Sequence, residues 1–86
     1  MGWDKASFVE KLEDQHSFPG AYTFKFIVKK KWQPVVEALV LGANVVSKES
    51  SEGTYVSVTI KAEMPSSDSV IEVYERAAKI EGCIAL

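Results

Sequence analysis

Cysteine, arginine and histidine each occur once in the chain, as Cys83, Arg76 and His16. A lone cysteine cannot close a disulfide within the chain, so the fold must stand on packing, which fits a reducing compartment. The same scarcity excludes an iron-sulfur cluster and a Cys-x-x-Cys metal carrier, both of which need more thiolates. One arginine leaves little with which to clamp phosphate or carboxylate in bidentate fashion. No apolar run approaches the roughly 20 residues of a membrane span, and the N-terminus lacks the apolar core of a signal peptide. Met1-Gly2 begins like a myristoylation signal but places Ala6 where Ser or Thr is required. A net charge of −2 supplies no long-range field for a phosphate backbone, so nucleic acid is not an expected partner. These absences point to a cytoplasmic protein with no membrane segment, no metal and no cofactor.

What is present is mainly periodicity. At 86 residues and 47% hydrophobic composition, the chain is expected to form one domain, with a helical extension over residues 3–15 and a core over 18–86. Around residues 48–64 a polar Ser50-Ser51-Glu52-Gly53 turn precedes strict alternation. Val56, Val58, Ile60 and Ala62 fall on one side, and Tyr55, Ser57, Thr59 and Lys61 on the other. A period of two with one apolar side marks a strand in an antiparallel sheet covered on one face. Gly53 suits the positive φ of a hairpin loop. Residues 21–29 alternate likewise, setting Tyr22, Phe24, Phe26 and Val28 against Thr23, Lys25, Ile27 and Lys29.

The remaining elements follow from helical spacing and stop signals. Residues 3–15 carry Phe8, Val9 and Leu12 on one side, with Asp4 or Ser7 as caps, and predict a short amphipathic helix that must dock to persist. Pro34 suits a first helical turn, Val35, Val36, Leu39 and Val40 form a stripe, and Gly42 is the expected stop. Residues 44–50 predict a short strand in which alternation does not fix the facing of Val45 and Val46. Ser66-Ser67-Asp68-Ser69 offers caps, with Ser69 and Glu72 in capping-box register, before Val70, Ile71, Tyr74, Ala77 and Ala78 at helical spacing. Gly82 ends that helix, and residues 83–86 predict a terminal strand.

Two interlocked right-handed strand-helix-strand units give an α+β, ferredoxin-like βαββαβ sandwich. The expected sheet is four-stranded, antiparallel and ordered 4-1-3-2, with two helices on one face and an extra N-terminal helix. Phe24, Phe26, Val56, Val58 and Ile60 should meet Val36, Leu39, Val40, Val70, Ile71 and Tyr74 in the core.

Several stretches also resemble a known family. Phe18-Pro19, Tyr22-Thr23-Phe24-Lys25, Ser50-Ser51-Glu52-Gly53-Thr54-Tyr55-Val56-Ser57-Val58, Val73-Tyr74-Glu75 and Lys79-Ile80-Glu81 are similar to the YbeD-like family of small bacterial proteins of unknown function. The resemblance spans roughly residues 18–86 and implies a ferredoxin-like fold similar to ACT regulatory domains. It implies no catalytic residues. ACT domains bind amino acids by a glycine-containing loop after the first strand, whereas Lys30-Lys31-Trp32-Gln33 here has no glycine.

The candidate working surface is the open sheet face, comprising Lys25, Ile27, Tyr55, Ser57, Thr59 and Lys61. It suits a homodimer, a partner protein, or coverage by the first helix through Trp3, Phe8 and Leu12. Lys29, Lys30 and Lys31 are an anion-binding candidate at the next helix start, against the plainer reading of a solvated turn. His16 reads as a solvated loop residue and Cys83 as a small buried strand residue. Glu10, Glu13, Asp14, Glu72 and Glu75 read as solvated helix faces. The expected function is a non-enzymatic regulatory or interaction module, with a single-stranded RNA module as the alternative. For RNA the open face offers one stacking ring, Tyr55, with Lys25 and Lys61, which is a poor platform.

Overall fold

In the computed structural model, which describes residues 4–86, the elements are α1 (Lys5–Gln15), β1 (Gly20–Lys29), a 3-10 turn (Lys30–Trp32), α2 (Gln33–Glu37), β2 (Asn44–Glu49), β3 (Tyr55–Met64), α3 (Ser67–Ala78) and β4 (Ile84–Ala85). The strands lie in the order β2-β3-β1-β4, every neighbouring pair antiparallel. This is the expected ferredoxin-like order read from the other edge. The two cleanest alternations became the two central strands, paired over their full length with Phe24 opposite Ile60 and Phe26 opposite Val58. All four of those side chains are fully buried, together with Val28, Val36, Val56 and Val70.

The hairpin between β2 and β3 turns as expected. Gly53 has φ 74°, and its N–H donates to Ser50 O at 2.9 Å. The register sets Val45 opposite Ile60 on the core side and Val46 opposite Thr59 on the outer side, which alternation alone left open.

Two helix boundaries and one strand differ from expectation. α2 stops at Glu37 rather than running to Gly42. Ala38 N–H reaches both Pro34 O and Val35 O, and Leu39 N–H turns to Val36 O, so the last turn tightens. Leu39, Val40 and Ala43 still pack on the core, but from a turn that leads into β2. α3 begins one turn earlier than the Ser69 box: Ser66 is its N-cap, its Oγ accepting from Ser69 N–H at 3.2 Å. The terminal strand is only Ile84–Ala85, with Cys83 between it and the preceding turn.

The position of α1 removes one of the three occupants that the sequence left open for the outer face. Asp4 caps α1, accepting from Ala6 N–H at 3.1 Å. The helix does not cover the open face. It packs on α3, where Phe8 meets the Tyr74 ring edge-on at 5.7 Å and Ser67 Oγ donates to Glu13 Oε2 at 2.8 Å. Leu12 is buried with the core. The flank of α3 offers Tyr74 to Phe8 and the core to Leu12, and the burial of these apolar side chains holds the helix there. Met1, Gly2 and Trp3, named in the sequence reading, lie outside the described residues.

Candidate functional site

Because directly opposed residues in antiparallel strands share a face, the register builds the outer surface row by row. Asn44, Lys61 and Thr23 form one row. Val46, Thr59 and Lys25 form the next, with Leu86 beside Lys25 through its N–H to Lys25 O at 2.9 Å. Lys48, Ser57, Ile27 and Ile84 follow, and Tyr55 with Lys29 closes the set. The six residues expected there, Lys25, Ile27, Tyr55, Ser57, Thr59 and Lys61, therefore lie on one continuous surface. The structure adds Val46, Lys48 and Ile84 to them. Val46 is 67% exposed, Leu86 68%, Ile84 56% and Tyr55 41%. The signal that could have found Val46 and Lys48 was the length of the hairpin loop, which fixes register when its turn is known.

The lysine triplet divides among three surroundings. Lys29 belongs to the open face opposite Tyr55. Lys30 is paired with Glu49 at 2.9 Å, and Lys31 Nζ lies 5.3 Å over the Trp32 ring. The α-helix that follows has five residues.

Other groups of chemical interest lie on the helical side. His16, expected to be solvated, is half-buried, with its ring 4.8 Å from Tyr22 in an edge-on contact. The end of α1 brings it back over the start of β1, where an aromatic neighbour is available. Tyr22 and Tyr74 share a hydroxyl–hydroxyl hydrogen bond of 3.0 Å, and burial, aided by that bond, pushes the Tyr74 phenol far above its usual range. Glu37 accepts from Ser47 Oγ and, at 2.8 Å, from Gln33 Nε2, and these two donors hold its carboxyl below the usual carboxylate value. Sequence reasoning missed this link because Glu37 and Ser47 meet only once the register of β2 is set.

A groove of about 820 Å³ runs between α3, α1 and β4, lined by Phe8, Phe26, Tyr74, Ala77, Cys83 and Leu86. Burial raises the Cys83 thiol, which keeps it protonated. A smaller hollow of about 430 Å³ lies between His16, Ser17, Glu13 and Ser66. Among the described residues, no three His, Cys, Asp or Glu side chains are grouped to hold a metal, and no helix is long and apolar enough to cross a membrane.

The family described as "Protein of unknown function (DUF493)" matches residues 13–85. The chain belongs to this family. It is 32% identical over 79 residues to a UPF0250 protein of Shewanella piezotolerans, covering 84% of this chain and 90% of that relative. It is 31% identical over 80 residues to a UPF0250 protein of Shewanella halifaxensis, with the same coverage. No solved structure matches the chain. The YbeD-like resemblance is thus borne out, and the family is one of unknown function. Its match begins near the end of α1, so most of that helix lies outside the family-defining region while the outer sheet face lies within it.

Proposed function

We propose that the chain is a non-enzymatic interaction or regulatory module that works through the uncovered face of its sheet. The observation that carries this reading is the exposure of Val46, Tyr55 and Ile84 on a face that no helix among the described residues covers. A solvated antiparallel face is ordinarily polar, and clustered apolar exposure marks a docking surface. The titration of the helical-side groups supports the non-catalytic half of the reading. The Cys83 thiol and the Tyr74 phenol are both shifted away from ionisation, and Glu37 is already satisfied by Ser47 and Gln33. The ferredoxin-like order is shared with ACT regulatory domains, which makes a small-ligand role an analogy of fold alone.

Of the two partner types, a different protein suits the face better than a second copy. Two copies face to face would bring two sets of four lysines together, and like charge across an interface is unfavourable. A second copy is left the strand edges of β2 and β4, and sedimentation equilibrium from micromolar to near-millimolar concentration tests it: a clean monomer removes self-association. The main test is retention of a partner from native extract by the chain and by a Val46→Asp, Ile84→Asp double variant. Loss of a specific partner in the variant supports the reading, and equal recovery overturns it.

A second reading, weak single-stranded RNA binding, is favoured by Tyr55 beside Lys29 on the same face. Filter binding at low salt tests it, with micromolar affinity that falls steeply with added salt as the supporting result.

A further inference from the structure

The small net charge conceals a polarity. The outer sheet face carries Lys25, Lys29, Lys48 and Lys61, with Glu63, opposite Ala21, as its one carboxylate. The ion pairs among the described residues are Lys5 with Glu75, Lys30 with Glu49 and Arg76 with Glu72. None of the four sheet-face lysines is in one. On the opposite side the exposed acids of α1 and α3, including Glu10, Asp14, Asp68, Glu72 and Glu75, outnumber the cations, two of which are already paired. A face on which four lysines outnumber one carboxylate, with those lysines in no ion pair and interleaved with apolar side chains, is complementary to an acidic amphipathic surface.

The spacing of the lysines narrows the occupant. The four rows from Lys61 to Tyr55 hold one lysine each, Lys61, then Lys25, Lys48 and Lys29, and the Glu63 row beyond them holds none. Same-face rows along a strand are about 6.8 Å apart. Residues four apart on a helix rise by about 6 Å, so acids at each turn on both flanks of an apolar stripe keep step with the rows, whose lysines lie on β3, β1, β2 and β1 in turn. Between the lysines Ile27, Val46 and Ile84 offer an aliphatic surface for the apolar stripe of the same helix. A helix laid there would complete a third layer over a sheet that now has helices on one side only. RNA suits the charges but not the filling, because aliphatic side chains give bases nothing to stack on and the face holds one aromatic ring.

We propose that the open face receives an acidic amphipathic helix from a partner protein, with Lys25, Lys29, Lys48 and Lys61 reading its carboxylates. This rests on the reading of that face as the working surface. The test is an NMR titration of the isotopically labelled chain at low salt with three probes. One is a designed amphipathic helix of about five turns with leucines on one stripe and glutamates flanking it. The second is the same peptide with lysines for glutamates, and the third is single-stranded oligouridine. The expected result is saturable binding of the acidic peptide, with shifts confined to the rows from Lys61 to Tyr55, and no binding of the basic one. A Lys25→Glu, Lys61→Glu variant with an unchanged dispersed spectrum should bind the acidic peptide about tenfold more weakly. Failure of the acidic peptide to bind, equal binding of both peptides, shifts on α1 and α3 instead, or tighter binding of oligouridine would each overturn the proposal. If the natural partner is lost from Val46→Asp, Ile84→Asp but kept by the lysine-reversed variant, the face remains the working surface and the acidic-helix inference alone fails.

Discussion

Tyr74 joins α3 to both α1 and β1. Its ring meets Phe8, Phe24 and Phe26 edge-on at 5.3 to 5.9 Å, and its hydroxyl is bonded to that of Tyr22. Removing that hydroxyl as Tyr74→Phe leaves the Tyr22 hydroxyl unpartnered and should cost about 1 kcal/mol. The raised phenol also fixes a pH dependence. The folded chain keeps the Tyr74 proton where the unfolded chain releases it, so this contribution is whole below about pH 10. It is lost as the pH rises further. Urea midpoints measured across the alkaline range should therefore fall in the parent and fall less in Tyr74→Phe. Glu37 acts with the opposite sign. Its depressed carboxyl contributes above the usual carboxylate range, and the contribution disappears on acidification as the proton returns.

Among the elements, the turns differ in what they tolerate. Gly20 opens β1 with so little room that an added Cβ would lie 2.4 Å from the carbonyl oxygen of Ser17. Gly53 has open space around it but a φ of 74° that penalises a side chain. Gly20→Ala must displace backbone and should cost roughly 1–3 kcal/mol. Gly53→Ala pays only left-handed strain, about 1 kcal/mol. Thermal unfolding should rank Gly20→Ala as the more damaging, and the reverse order would contradict this account. The same elements show what was legible in the sequence. The alternation of β1 and β3 and the helical spacing of α3 fixed the sheet order, because each apolar set has only one face on which to bury. The end of α2 was not legible. Leu39 and Val40 reach the core equally well from a helix or from a turn, so their spacing does not distinguish the two. The surroundings of His16 and the pairing of Glu37 with Ser47 arise from contacts between elements and leave no local pattern.

For the whole molecule, the division into an acidic helical side and a lysine-bearing sheet side is the feature most tied to function. It was half legible: Lys25 and Lys61 followed from alternation, while Lys48 waited on the register of β2. The position of α1 has the same origin in packing, since its Phe8 and Leu12 found their partners on α3 rather than on the sheet. One consequence concerns β4, whose two residues lie against only Phe26 and Ile27 of the ten in β1. The carbonyl of Lys25 points toward β4, and by the two-residue repeat the backbone groups of Thr23 and Ala21 point the same way, past the strand's end. Deuterium uptake should therefore split a single central strand in two. The amides of Ala21 and Thr23 should exchange early, while those of Tyr22 and Phe24, directed at β3, should persist until the whole chain opens.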